Sequence, residues 1–231
     1  MWRWPVGCLF FITACNSSPV NAPLAITRED SAKENRRIDL AFAAIATVKP
    51  IIKTGDLVVR AGNDFTSESL RSLNQRDKSW SHCGIASVEH DTVFIYHALG
   101  GEFNPDQKIR KDLLPVFAEP YSNRGIGIYR YDLGAADIES LMLTVKRLYA
   151  IGVMFDMKFD LQTNDHMYCA EFVYKSYIMG TRGKLQFTTS HLGDFSFVGV
   201  DDLFLQPQCH LQKKISYQDI KTLENKITFG H

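Results

Sequence analysis

The sequence lacks an excess of charge of either sign, because 26 lysine and arginine residues balance 26 aspartate and glutamate residues. It contains no basic stripe or basic cluster, which argues against nucleic acid as a partner. It also has no internal repeat, no glycine-rich phosphate loop and, in the body of the chain, no apolar run long enough to cross a bilayer. We therefore expect no organic cofactor and no polytopic membrane domain.

Cysteine is scarce, with five residues in 231, and no Cys-x-x-Cys spacing indicates a zinc ribbon or a redox pair. Cys8 and Cys15 belong to the N-terminal segment. The remaining three, Cys83, Cys169 and Cys209, are an odd number, so at least one thiol stays free even in an oxidising compartment. The sequence leaves open whether Cys83 and Cys209 form a disulfide.

The N-terminus has the layout of a secretory signal, in which Arg3 precedes the apolar run from Val6 to Ala14. The run ends in Ile12-Thr13-Ala14-Cys15, which resembles the lipobox of bacterial lipoproteins. This resemblance implies cleavage before Cys15 and acylation of that cysteine. Because Asn16 rather than aspartate follows, it also implies an outer-membrane position facing the periplasm. The alternative is an ordinary buried or signal-region cysteine.

The chain is expected to have three parts: a lipoprotein signal peptide over residues 1–14, a polar tether over residues 15–34 and one globular domain over residues 35–231. Its 45% hydrophobic content is enough for a single core. A membrane, reached through lipidated Cys15, would be one partner, and the bacterial cell envelope would be the location.

Hydrophobic periodicity predicts a mixed domain of helices and short strands. Helical spacing covers residues 38–48, 138–149 and 169–179, with a short helix or turn at 113–117. Strands are predicted at residues 57–59, 83–89, 92–98, 108–110 and 125–131. Residues 62–78 are predicted to be a loop with one helical turn, and the tail from Thr181 is left unassigned.

The clearest local feature is a hairpin whose two-residue turn is His90-Asp91. This turn places Gly84 opposite His97. His82 points to the same face as Gly84, so it becomes a diagonal neighbour of His97, about 7 Å away at the backbone. Gly84 has no side chain to separate the two imidazoles. Cys83 alternates to the opposite face and is expected to pack in the core, away from a site formed by the histidines.

Two of these residues have the chemistry of a nucleophile and its base. Cys169 begins a helix-like run, where free main-chain N–H groups and the helix dipole favour a thiolate and a developing oxyanion. His82 begins a strand-like run and can serve as the base, with His97 orienting its imidazole. The ordinary alternatives are a buried structural cysteine and a core histidine. A zinc site of these three residues lacks an evident fourth ligand, so no metal is assigned.

Two islands, Trp80–Ile85 and Tyr168–Val173, resemble those of the circularly permuted papain-like amidases of the YiiX/YaeF type, within the NlpC superfamily. The lecithin retinol acyltransferase-like enzymes are more distantly similar. Papain-type proteases have cysteine first and histidine later, whereas here the order is reversed. Further matching stretches follow the family's order: Gly55–Val58, Tyr96–Ala98, Lys108–Arg110, and Phe155-Asp156 with Phe159.

The resemblance implies an α+β, permuted papain-like (NlpC-type) fold, in which a small antiparallel sheet packs against helices. It implies Cys169 as nucleophile, His82 as base and His97 as the third polar group. That third position is often glutamate in the YiiX branch and histidine in the acyltransferase branch, so the substrate branch stays open. Glu171 is expected to be structural.

The expected reaction is acyl transfer to water through a thioester at Cys169, which cleaves an amide in a cell-envelope peptide or an acylated molecule. Tyr168 is expected to pack beside the thiol or to contribute its hydroxyl to substrate or oxyanion binding. A lipid-directed thiol hydrolase or acyltransferase is one alternative, indicated by the aromatic-rich stretch Phe195–Phe204. A non-catalytic lipoprotein that binds cell-wall or lipid ligands is another.

Overall fold

A computed structural model describes residues 27–218, except residues 101–103 and 105. The signal peptide, Cys15 and the first part of the tether lie outside the described residues. The helices are α1 (Arg28–Val48), α2 (Phe65–Leu73), α3 (Leu114–Phe117), α4 (Ala135–Ile151), α5 (Cys169–Gly180) and α6 (Val200–Phe204). The strands are β1 (Leu57–Gly62), β2 (His82–Glu89), β3 (Thr92–His97), β4 (Arg110–Leu113), β5 (Asn123–Tyr131), β6 (Ser190–Leu192), β7 (Phe195–Phe197) and β8 (Cys209–Ser216).

The main sheet has six antiparallel strands in the order β4-β3-β2-β1-β5-β8, and β6 pairs with β7 in a small second sheet. Both faces of the main sheet are covered. Leu57 of β1 packs with α4 and α5 on one face, whereas the next residue, Val58, packs with α1 and α3 on the other. The predicted α+β arrangement, a small antiparallel sheet packed against helices, is therefore observed. None of the helices in the described ranges combines the length and apolar content needed to cross a membrane.

The hairpin of β2 and β3 has the predicted turn and register. His90 and Asp91 have φ angles of 47° and 59°, so both lie in the left-handed region that a type I′ turn requires. Glu89 pairs with Thr92, and the pairing continues in register to Ile85 and Tyr96. One step further along this register, Gly84 faces the last residue of β3.

Helix α1 begins earlier than the apolar spacing over residues 38–48 predicted. Residues 28–34, expected to be tether, are helical. The reason is a capping box: Thr27 Oγ1 accepts from the Asp30 N–H at 3.0 Å, and the Asp30 carboxylate accepts from the Thr27 N–H at 3.1 Å. This reciprocal pair supports a polar first turn that hydrophobic periodicity does not reveal.

Two other segments differ from their sequence-based assignment. Residues 65–73 form the nine-residue helix α2 rather than one turn, because the Asp64 carboxylate caps its first turn by accepting from the Ser67 N–H at 2.9 Å. The unassigned tail contains α6 and three strands, of which β8 completes the sheet beside β5. Strand β8 was missed because it is an edge strand in which only Ile215 is buried.

Candidate active site

A chain of hydrogen bonds joins two imidazoles and a carboxylate at one end of the sheet. His82 Nε2 and His97 Nδ1 are 2.8 Å apart, which gives the contact that the hairpin register predicted. His97 Nε2 and Asp112 Oδ2 are 3.0 Å apart, and Arg110 forms an ion pair with the same carboxylate at 2.8 Å. The three strands β2, β3 and β4 each supply one member. Asp112, which sequence reasoning missed, therefore extends the pair of histidines to three hydrogen-bonded residues.

The protonation states of His82, His97 and Asp112 follow from burial and from the neighbouring guanidinium groups. Burial lowers the pKa of His82 well below its ordinary value, and the nearby Arg60 guanidinium lowers it further. Burial also lowers the pKa of His97, against the hydrogen bond that its ring donates to Asp112. Although burial raises the pKa of Asp112, hydrogen bonds from His97 and Arg110 outweigh it and bring this pKa below its ordinary value. At neutral pH the chain is thus two neutral imidazoles ending on a carboxylate.

Phe117 of α3 forms the apolar floor under both imidazoles. Its ring centroid lies 5.7 Å from that of His82 and 5.1 Å from that of His97. The Arg60 guanidinium lies over the same ring at 4.9 Å, and its Nη1 donates to the Phe117 carbonyl at 2.6 Å. These contacts fix the two rings on the face of the sheet that packs against α1 and α3.

The Cys169 thiol lies at the first turn of α5, on the other face of the sheet. Its pKa is below the ordinary value mainly because the Cys83 thiol donates a hydrogen bond to it. The main-chain N–H groups of Cys83 and Ala170 also donate to it, and together these donors outweigh burial. Burial raises the pKa of Cys83 itself well above its ordinary value. The expectation that Cys83 is buried opposite the histidines is confirmed, but the expectation that it stays away from the site is wrong, because α5 packs on Cys83's face.

His82 and Cys169 are close along the sheet but are not hydrogen-bonded to each other. The thiol accepts from the Cys83 N–H, one peptide bond from His82, while the His82 imidazole turns to Phe117. Among the described residues, His97 is the hydrogen-bond partner of the His82 ring, through Nε2. His82 Nδ1 is therefore left without a hydrogen bond in the described part of the chain.

Tyr168, directly before Cys169, and Glu171, two residues after it, both contact other parts of the protein. The Tyr168 side chain is buried, and its hydroxyl accepts from the Val198 N–H at 2.7 Å, so it is held by the segment after β7. Glu171 is fully buried and forms an ion pair with Lys175 at 2.8 Å. Burial raises the pKa of Glu171 to about 7, against the pull of Lys175. Phe159 packs on the Tyr168 ring with centroids 4.7 Å apart.

The side chains of Cys169, His82 and His97 are not arranged as a zinc site. In the ranges that the structure describes, no group of three or more histidine, cysteine, aspartate or glutamate residues is arranged to hold a metal ion. Cys169 lies on the opposite face from the imidazoles of His82 and His97. These residues therefore do not fit a metal, and no chemical step is derived through one.

A family model and a solved structure match this chain. Residues 51–194 match the family model described as permuted papain-like amidase enzyme, YaeF/YiiX, C92 family. The crystal structure of metalloprotein yiiX from Escherichia coli O157:H7 superimposes with a TM-score of 0.58 at 19% identity. The superposition covers 71% of this chain and 98% of that one. No curated protein matches. The more distant likeness to lecithin retinol acyltransferase-like enzymes stays a prediction.

Proposed function

Because this chain belongs to the permuted papain-like amidase family of the YaeF/YiiX type, we propose that it is a cysteine hydrolase whose nucleophile is Cys169. The observation that carries the proposal is the environment of this thiol. The Cys83 thiol and the main-chain N–H groups of Cys83 and Ala170 bring the pKa of the Cys169 thiol below its ordinary value, against burial. Thiolates rather than thiols attack carbonyl carbon, so these donors favour the reactive form.

The proposed reaction is hydrolysis of an amide through a thioester. The Cys169 thiolate attacks the carbonyl carbon, and the N–H groups that hold the sulfur are placed to bind the developing oxyanion. His82, having taken the thiol proton, returns it to the leaving amine. His82 then takes a proton from water, which attacks the thioester and releases the acid. His97 holds the His82 ring through the 2.8 Å contact.

This role for His82 requires its ring to meet the thiol during the reaction. The sulfur lies beside the peptide bond that joins His82 to Cys83, since it accepts from the Cys83 N–H. Because the His82 ring lies against Phe117 on the opposite face of the sheet from the thiol, the proposal requires the ring to leave this contact before Nδ1 can reach the sulfur. Hydrogen bonds between catalytic groups often tighten only when substrate is bound, and the proposal places the movement of the His82 ring at that step.

The first test measures which thiol reacts. The full chain is treated with iodoacetamide across pH, and peptide mass spectrometry reports each cysteine separately. We expect fast labelling of Cys169 at neutral pH. Cys209 should not react, because burial raises its pKa to about 12, and Cys83 is fully buried. His82→Ala should slow labelling of Cys169 about 10²-fold, the size of a lost general base.

The matched control for this test is His210→Ala, which removes an exposed histidine on β8 and should leave the labelling rate unchanged. Cys169→Ala should abolish the fast label and leave the other cysteines as they were. If Cys169 titrates as an ordinary thiol and is indifferent to His82→Ala, the hydrolase mechanism is wrong. A ligand-binding protein built on the same fold then becomes the better explanation.

A lipid-directed thiol hydrolase or acyltransferase is the second candidate, and one observation favours it. The β6–β7 hairpin exposes apolar side chains, with Leu192 68% and Phe195 45% exposed. The chain after this hairpin is hydrogen-bonded to Tyr168, the residue before Cys169, through the Val198 N–H. Faster cleavage of lipid esters than of amides would favour this candidate, and the reverse preference would favour the amidase.

The lipid anchor is part of the same proposal and rests on the N-terminal sequence. Acylation at Cys15 would hold the domain on a membrane of the bacterial cell envelope, with the outer membrane facing the periplasm as the proposed location. Expressed in a Gram-negative host, the full chain should fractionate with membranes, and Cys15→Ser should be recovered without the acyl group. The control Cys8→Ser should keep both the acyl group and the membrane fraction. An unacylated wild-type chain would rule the anchor out.

A further inference from the structure

The carboxylate at the end of the imidazole chain can only accept hydrogen bonds. Asp112 is held ionised by Arg110, whose Nη2 lies 2.8 Å from Oδ2 and 3.0 Å from Oδ1. An ionised carboxylate has no proton to give. The 3.0 Å contact between His97 Nε2 and Asp112 Oδ2 therefore requires the proton on His97 Nε2.

This requirement fixes the second ring as well. A neutral imidazole carries one N–H, so a proton on His97 Nε2 leaves His97 Nδ1 as an acceptor. The 2.8 Å contact between His97 Nδ1 and His82 Nε2 then requires the proton on His82 Nε2. His82 Nδ1 is consequently the nitrogen without a proton. It is also the nitrogen without a hydrogen bond in the described part of the chain.

The surroundings of His97 disfavour the doubly protonated ring that would reverse this order. The His97 side chain is fully buried, with Phe117 against one side. Two guanidinium groups, those of Arg60 and Arg110, disfavour a positive charge on the ring. A protonated His97 would place an N–H against His82 Nε2 and move the His82 proton to Nδ1, which would block the base.

We propose that Asp112 is a positioning residue that sets the tautomer of His97 and, through it, keeps His82 Nδ1 free to act as the base. The inference deepens the proposed function, since it takes His82 as the base for Cys169. Arg110 supports it by keeping the carboxylate ionised and in place. Neither residue acts on the thiol or the substrate directly. They determine which nitrogen of the His82 ring carries the proton.

The test reads the tautomers directly. In the full chain labelled with ¹⁵N-histidine, ring-nitrogen NMR at neutral pH should show Nε2 protonated and Nδ1 unprotonated in both His82 and His97, with signals assigned from the His82→Gln and His97→Gln chains. Asp112→Asn can donate from its amide to His97 Nε2, so both tautomers should reverse. Labelling of Cys169 should then slow about 10²-fold or more, as for other triads with a reversed tautomer.

The matched control is Asp132→Asn, because Asp132 contacts the exposed His210 at 2.8 Å, on the opposite edge of the sheet from Asp112. It should change neither the tautomers of the buried rings nor the labelling rate.

Two results would overturn the inference and leave the proposed function standing. One is a wild-type protein with tautomers opposite to those expected, and the other is an Asp112→Asn variant with unchanged tautomers and a reactive Cys169. The expected tautomers with an unreactive Cys169 would instead support the inferred proton positions and contradict the proposed function. If Asp112→Asn fails to fold, the wild-type spectrum alone still decides.

Discussion

Replacing Gly84 with alanine is expected to lower the free energy of unfolding by about 1–3 kcal/mol, the usual cost of overpacking. A Cβ at this position would lie 2.6 Å from the Tyr96 carbonyl oxygen and 2.6 Å from Ile95 Cγ2. It would also lie 3.0 Å from His97 Cβ. The carbonyl belongs to the backbone of β3, so the strain is relieved only if β2 and β3 move apart.

The same movement should separate the two imidazoles that face each other across Gly84. Labelling of Cys169 should therefore slow in Gly84→Ala even at temperatures where the variant is folded. The free energy is measured by urea unfolding. Gly134→Ala is the control, because its Cβ would meet only Asp137 Oδ2, at 3.9 Å. If Gly84→Ala is as stable and as reactive as Gly134→Ala, then the close approach of the strands is not what positions His97.

Replacing Arg130 with methionine is expected to cost about 3–5 kcal/mol of stability, because it leaves a buried charge without its partner. The Asp56 side chain is 1% exposed and receives Arg130 Nε at 2.7 Å and Nη2 at 2.8 Å. Arg130 Nη2 also donates to the Ile51 carbonyl at 2.8 Å. This ion pair holds the turn that precedes β1 against strand β5, next to the strands that carry the site.

Two further variants separate the buried charge from the loss of packing. The double variant Asp56→Asn with Arg130→Met should recover part of the stability, since no unpaired charge remains buried. Arg124→Met removes an arginine from the same strand whose ion pair with Glu68, at 3.3 Å, is exposed, and it should cost less than about 1 kcal/mol. Thermal or urea unfolding measures all three. Equal losses for Arg130→Met and Arg124→Met would contradict the assigned role of the pair.

The family and the permuted papain-like fold were predictable from short stretches of sequence, and both are confirmed. The contact between His82 and His97 was also predictable, because a two-residue turn fixes the register of everything paired beyond it. Helices α4 and α5 follow from apolar residues at helical spacing. These features depend on interactions between residues close in sequence.

The rest of the site depends on packing that the sequence pattern does not encode. Asp112 joins the chain because β4 pairs with β3 across a long connection, which has no fixed register. Alternation assigned Cys83 to one face of the sheet, but it did not tell on which face α5 would pack. The catalytic roles of Cys169, His82 and His97 stay predictions. The role of Tyr168 also stays a prediction, and its hydroxyl accepts a hydrogen bond from the Val198 N–H.

Strand β4 is a four-residue edge strand, and such strands are the first to open in local fluctuations. It nevertheless supplies the only carboxylate that contacts the buried imidazoles in the described part of the chain. Each time β4 detaches, His97 loses its acceptor and both rings are free to exchange their tautomers. Lys111 opposes this by pairing with Glu89 at 2.6 Å and by lying 4.2 Å over the Phe94 ring. In the proposed arrangement, the population of the competent base thus follows the fraction of time for which this edge strand stays paired, and amide hydrogen exchange in β4 measures the free energy of its opening.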